Sequence, residues 1–496
     1  MTEPMEPTEP AGSTGSAGPT GSTGPTIAWP RALGHAQALV ARPGTAAAAV
    51  AAVLVDAPCF QNRDFPLSPL PVFVRGSAAQ ELREPLERYG DLLGHVVRLY
   101  REHAEVRAWF ALPPGAERLI AADPGPGDAP WVCRLDGYLE QGTERLVLLE
   151  NNADAPAGTL FTARINDTVR RVAASLAPDA AGAAGVNGAA ELSPLTYGGD
   201  DRFLSALRAA AGAAAARVPG KNAHPESVAV LQPSGAANRE SREMADEFRQ
   251  RGLDAFLADP RTLTVTGGRA RFDGRVADLC WNKVNTVSWN AMAAEQDFVT
   301  VWERALRDTP LVHVNPFGAR YVAENKLSLA FVQEPRFADL FDAAQRDLAA
   351  RLLPWTRRLG TGARGPDGTT PLVDELLERQ GDYVLKQPYD IRGDGVTIGD
   401  AVSRGDWRAA VRRAADEGHL AQRRVQPVRY PVVTAGSPQV EMMAISLDAY
   451  LLGGRLAGFG SKGSHHAKVN VFQGGRKLAV HVTTGEDPPA TGGRDR

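Results

Sequence analysis

Cysteine is scarce in this 496-residue chain, which has three, Cys59, Cys133 and Cys280. No two form a C-x-x-C, so neither a disulfide framework nor a thiolate zinc site is indicated, and a reducing cytoplasm fits. Long apolar runs are missing: none approaches the ~20 residues that span a bilayer, and the N-terminus lacks a signal-peptide core. An excess of one charge is missing too. With 55 basic and 58 acidic residues the net charge is -3, which gives no electrostatic case for nucleic acid or an anionic membrane. Small-molecule partners are expected instead. Lysine is the rarest charged type, with seven among the 55 basic residues and none before Lys221. Arginine is thus the default cation. A lysine kept beside glycine-rich or strand-end sequence reads as a compact point charge for phosphate. Lys326, Lys386 and Lys462 fit that description, whereas Lys221 and Lys477 sit in unremarkable surface sequence.

The richest stretch of chemistry is 131–158, WVCRLDGYLEQGTERLVLLENNADAPAG. Residues 131–138 and 145–152 read as two extended runs joined by a short turn at Gln141, Gly142 and Thr143, an antiparallel hairpin. Side chains alternate on a strand, so Arg134 and Asp136 share one face of the first run, and Glu150 and Asn152 share one face of the second. Two carboxylates and an amide carbonyl suit a hard divalent cation such as Mg²⁺. The planar fork of Arg134 suits a phosphoryl oxygen or a developing oxyanion. The same residues could also be paired polar groups on a surface hairpin.

The order R-x-D followed by E-x-N-A-D-x-P resembles the circularly permuted ATP-grasp ligases, of which glutathionylspermidine synthase is the familiar member. That resemblance implies an α/β (α+β) fold of ATP-grasp architecture, with ATP and Mg²⁺ as cofactors. It further implies Asp136, Glu150 and Asn152 as metal ligands, and Arg134 at phosphate or the reaction intermediate. The sequence HVNPFGARYVAENKLSLAFV, 313–332, resembles the family's entry into the ATP-binding half and offers Lys326. The sequence YVLKQPYDIRGDGVTIG, 383–399, reads as strand, glycine-bearing loop and strand. Lys386 and the backbone of Arg392, Gly393, Asp394 and Gly395 would meet phosphate there. Gln387 before the proline, and Arg392 and Asp394 around Gly393, depart from the family pattern. HLAQRRVQPVRYPVV resembles the adenine hinge, with Gln422 as the contact and Arg423 where an acidic residue is usual. By position, Lys462 would reach the terminal phosphate.

Along the chain, residues 1–26 read as a disordered tail and 27–125 as a mostly helical region. Within the latter, Leu86, Tyr89, Leu92, Leu93, Val96, Val97 and Tyr100 form a helical core stripe. Residues 65–76 read as an extended connection. The magnesium and phosphate motif belongs to 126–222, with a helix over 158–176 and a mobile loop over 177–200. A small α/β domain is expected over 223–315; it lacks G-x-G-x-x-G, which argues against dinucleotide binding. The ATP-binding lobes would cover 316–481, including a hairpin turning at Gly453 and Gly454, and 482–496 would be a second disordered tail.

Cys133 alternates away from Arg134 and reads as a buried thiol. His465 and His466 point to opposite sides of a strand and lack a metal-binding pattern, and Trp281 and Trp289 read as core. The resulting expectation is an ADP-forming ligase joining a small carboxylate to an amine through an acylphosphate. Other possibilities are a carboxylate-thiol ligase that loads a carrier protein, a kinase, and a non-catalytic nucleotide-binding protein.

Overall fold

The computed structural model describes residues 24–56, 67–176, 192–199, 201–236, 238–295, 297–390, 393–466, 468, 469, 471 and 475–484. Three sheets carry the architecture. The largest has seven strands. Its main path runs Arg429–Val433, Val440–Ile445, Arg455–Ser464, Leu447–Leu452, Val132–Leu139 and Leu146–Asn152, and Arg476–Leu478 pairs with Arg455–Ser464. A second, parallel sheet orders Val312–Val314, Leu279–Asn282, Ser227–Leu231 and Asp254–Ala258. A third, antiparallel sheet orders Thr356–Arg358, Leu420–Arg423, Tyr383–Lys386 and Val396–Ile398.

The long helix Gly76–Glu102 presents the expected stripe inward, and Leu86, Tyr89, Leu92, Leu93, Val96, Val97 and Tyr100 are all buried. The stripe also makes polar contacts through its tyrosines, of which that of Tyr89 reaches the large sheet. Tyr89 Oη donates to Asn151 Oδ1 at 3.1 Å, while Asn151 Nδ2 donates to Ala323 O and Ser328 Oγ. Asn151 thereby ties the back of the large sheet to the helix and to the 319–331 segment. Its neighbours Glu150 and Asn152 are left on the opposite face.

In the second sheet the helix Arg239–Gln250 starts at Asn238, whose side chain accepts from Ser241 N at 3.2 Å. This supplies one of the donors a helix start leaves open. Trp281 and Trp289 are buried in the core, as are Cys133 and Cys280. The helices Leu372–Glu378 and Arg404–Asp416 cover the third sheet through Leu376, Trp407 and Val411.

Several expectations need correction. The 65–76 connection contains a strand, Val72–Val74, which pairs in parallel with Val480–Val482. The C-terminal segment 482–496 is therefore not a tail throughout, because Val482 and Thr483 are buried and Thr483 N donates to Val74 O. At the other end Thr26 donates its hydroxyl to Glu144 O at 2.9 Å. The remainder of the expected tails, residues 1–23 and 485–496, lies outside the described residues, as do Cys59 and 177–191 of the expected loop. Among the described residues no single helix is long and apolar enough to cross a membrane.

Asn315 joins the first two sheets. Its Oδ1 accepts from Trp131 N and Val132 N, both at 2.9 Å, and its Nδ2 donates to Val132 O at 2.6 Å and Ala153 O at 2.8 Å. The side chain is fully buried. Replacing it with Ala strands backbone donors and acceptors away from water, each at roughly 1–3 kcal/mol. Asn315→Ala should therefore lose about 3 kcal/mol or more in a urea titration. A loss below about 1 kcal/mol would show that other groups take over these bonds.

Candidate active site

Directly opposed residues of an antiparallel pair share a face. Arg134 lies opposite Asn152 and Asp136 opposite Glu150, with the register shifting between Asp136 and Gly137. The shift needs a bare backbone at Gly137, since a Cβ there would come within 2.9 Å of Val147 O. On the other side Leu447–Leu452 sets Asp448 opposite Asp136 and Tyr450 opposite Arg134. Six polar side chains from three strands thus occupy one sheet face.

Charge pairing binds them together. Arg134 Nε donates to Asp136 Oδ1 at 2.5 Å, and Arg134 Nη2 donates to Asp136 Oδ2 and Asn152 Oδ1, each at 3.1 Å. Arg134 Nη1 donates to Ala157 O at 2.7 Å. Lys462 Nζ donates to Asp136 Oδ2 at 2.6 Å and lies 3.1 Å from Asp448 Oδ2. Burial opposes ionisation of Asp136, but Arg134 and Lys462 outweigh it and hold the carboxyl well below the usual range. At Asp448 burial and the charge of Asp136 together push the carboxyl upward. The Lys462 contact there is charge against charge: neither Asp448 oxygen accepts a hydrogen bond in the described structure.

Across a cleft of about 1360 Å³ stand Lys386, Gly393 and Gln422, so the cleft collects residues of the first and third sheets. Lys386 Nζ donates to Leu149 O at 2.7 Å. Burial, and then the repulsion of Lys326, bring its ammonium down to about 8 even though Glu150 attracts it. Gln422 is buried and donates to Thr356 Oγ1 at 3.2 Å, and residues 424–427 after its strand also line the cleft.

Searches of family models and of curated proteins return no match. Among solved structures, a glutathione synthetase-like effector from Globodera pallida superposes at TM-score 0.50 with 11% identity, over 84% of this chain and 90% of that one. The chain has the ATP-grasp fold. Partial likenesses include a RimK-domain ATP-grasp protein from Sphaerobacter thermophilus, with TM-score 0.25, 18% identity, and 45% of this chain covered against 85% of that one. D-alanyl-alanine synthetase A from Vibrio cholerae O1 biovar eltor has TM-score 0.26 and 10% identity, covering 52% of this chain and 88% of that one.

Within this ATP-grasp fold two of the sequence candidates stand back from the cleft. Lys326 lies beneath Glu150, 2.9 Å from its Oε1 and 2.5 Å from Asp390 Oδ1, and is almost fully buried. Gly395 N donates to Asp390 Oδ2 at 3.2 Å, so this amide is turned toward Asp390 and away from the cleft. Gly393 lies at φ 76° and its carbonyl accepts from Lys468 Nζ at 3.0 Å. Arg392 lies outside the described residues. His465 lines the cleft and pairs with Glu441 at 2.9 Å, and His466 lines it too.

The reading of Lys221 and Lys477 as surface residues is corrected. Lys221 Nζ caps the end of the helix Phe298–Asp308 by donating to the carbonyls of Leu306, Thr309 and Leu311. Lys477 lines the cleft, on a strand paired with the one that bears Lys462. Asp448, Lys477 and the buried Lys283–Glu240 pair, 3.0 Å apart, escaped the sequence reading. Lysine scarcity was the one available signal for the two lysines.

The donor set fits magnesium in kind. Asp136, Glu150 and Asn152 supply hard oxygens on one sheet face, and Asp448 adds two buried oxygens without a hydrogen-bond donor.

The depressed Lys386 supplies a pH test. In the free protein its amine is neutral well above about 8, whereas bound phosphates favour the ammonium. Under the nucleotide-binding role proposed below, binding at about pH 9 should therefore take up a proton. In calorimetry the apparent heat should then track the ionisation enthalpy of the buffer. Lys386→Met should abolish that dependence, and a dependence that persists in Lys386→Met would assign the proton elsewhere.

Proposed function

We propose that the chain is an ADP-forming ligase that uses ATP and Mg²⁺ to activate a small carboxylate and join it to an amine or amino acid, acting in the cytoplasm. The observation that carries this reading is the shared sheet face of Arg134, Asp136, Glu150 and Asn152, set across one cleft from Lys386, Gly393 and Gln422. We read the chain order as the circularly permuted, glutathionylspermidine synthase-like arrangement. The motif strands precede, in sequence, the third sheet and its continuation into 424–427.

In this reading Asp136, Glu150 and Asn152 hold magnesium, which when bound neutralises charge on the terminal phosphates during transfer. Lys386 meets the phosphates as a point charge, and the 422–427 strand holds the adenine. Gln422 spends its amide on Thr356, so the strand's backbone carries more of that recognition. Lys326 acts one layer back: it holds Glu150 in place and sets the potential felt by Lys386. The Arg134 fork is fixed by three acceptors, Asp136, Asn152 and Ala157 O. That rigidity suits an oxyanion that forms when the acceptor attacks the acylphosphate carbonyl.

Turnover should release ADP and phosphate. AMP and pyrophosphate would refute the mechanism, because the metal and lysine groups are assigned to the terminal phosphates. Glu150→Gln and Asp136→Asn should each lower kcat by a factor of about a hundred or more, and wild-type rates in both would remove the metal assignment. Arg134→Lys keeps charge without the fork. It should lower kcat more than it raises KM for ATP, measured by ADP release with a carboxylate and amine pair.

A further inference from the structure

Lys477 stands apart from the other lysines of the chain. Among the described residues its ammonium makes no hydrogen bond and no ion pair, although each of the other six lysines is tied to a carboxylate or to a backbone carbonyl. It is only partly exposed and lines the cleft. The charged groups around it are Lys462 and Arg134, with Asp448 and Asp136 beyond. Both of those carboxylates already face Lys462. A cation drawn out of water among other cations is costly unless an anion joins it. Burial, then Lys462 and Arg134, accordingly bring the Lys477 ammonium down to about 8.

The ammonium also has a defined place. A Cβ built on Gly158 would lie 3.7 Å from Lys477 Nζ and 2.7 Å from Tyr450 Oη, so this glycine, at φ 82°, leaves room beside the lysine. The preceding carbonyl, Ala157 O, accepts from Arg134 Nη1 and Tyr450 Oη. The bare backbone at Gly158 is held from behind by Glu240, which accepts from Gly158 N and Leu160 N and pairs with Lys283. The same cleft is also lined by Phe161, Ile165 and Arg239. An anion next to Lys477 would thus sit beside Gly158 and within the field of Arg134 and Lys462.

We propose that Lys477 and Arg134 seat the carboxylate that ATP phosphorylates, with the rest of that substrate running along Phe161 and Ile165 between the helix Phe161–Leu176 and the second sheet. This rests on the ligase reading above. It assigns the carboxylate a fixed position, with its oxygen toward the magnesium face and its carbon skeleton toward Arg239.

The probes are acetate, hexanoate and orthophosphate, titrated into the full-length protein with Mg·ADP bound and followed by thermal unfolding. Both carboxylates should stabilise the wild-type protein, hexanoate more strongly because its tail meets Phe161 and Ile165. Lys477→Met should weaken both by about tenfold or more, the loss of one charge-assisted contact, and Lys477→Arg should restore most of it. Without ligands, Lys477→Met should unfold at equal or higher urea concentration, since it removes an unpaired charge. Unchanged carboxylate binding in Lys477→Met overturns the assignment, and so does a loss confined to orthophosphate. A fall in the ligand-free stability of Lys477→Met would make the lysine structural. Wild-type protein that binds Mg·ADP but neither carboxylate defeats this inference alone. Wild-type protein that fails to bind Mg·ADP defeats the ligase reading, and this assignment with it.

Discussion

The register of Val132–Leu139 against its two neighbours is the constraint on which the site depends. Asp136 faces Glu150 on one side and Asp448 on the other, and Arg134 faces Asn152 and Tyr450. A one-residue slip would turn every one of these side chains to the opposite face. Three features secure the register. Gly137 admits the irregularity beside Asp136. Asn315 ties the start of one strand to the end of the next. Asn151 locks the rear face to the long helix through Tyr89. The polar front is therefore held by hydrogen bonds made behind and beside it.

The front itself is a packed set of opposite charges. Arg134 and Lys462 share Asp136, Lys326 shares Glu150 and Asp390, and Asp448 lies close to Lys462. Bringing such groups out of water costs several kcal/mol per ion unless partners are well placed. Removing one partner therefore leaves a buried charge that its neighbours must answer. The loop after Asn152 is fixed by the same chemistry: Asp154 accepts from Thr286, and Glu240 accepts from Gly158 and Leu160. Because this loop and the second sheet share these bonds, the small α/β unit takes part in shaping the cleft.

The cleft lies between parts that differ in how tightly they are joined. The first and second sheets meet through Asn315, Glu240 and Lys283. Direct bonds from the third sheet to the motif are fewer and include Lys386 to Leu149 O and the Lys326–Glu150 pair by way of Asp390. A lobe joined by a few polar contacts can shift at modest cost, which suits the nucleotide site proposed above.

Alternation along two short runs was enough to place Arg134, Asp136, Glu150 and Asn152 on common faces, since strand periodicity is local and survives any tertiary arrangement. The helical stripe from Leu86 to Tyr100 was legible for the same reason, and the rarity of lysine drew attention to Lys386 and Lys462. Pairing across the chain was not legible. Asp448 and Lys462 reach Asp136 from strands more than 300 positions away in sequence, and no local pattern reports which strands will be neighbours. Lys477 shows the difference most clearly. In sequence it sits in an ordinary polar stretch, but its strand pairs with the strand of Lys462 and carries it into the cleft. Conversely, Lys326 and Gly395 carry the right residue types, yet Asp390 engages both and keeps them out of the cleft. The sequence determined which chemical groups were present and which of them shared a strand face. Tertiary structure decided which charges met, because burial and pairing depend on neighbours that the chain brings together only when folded.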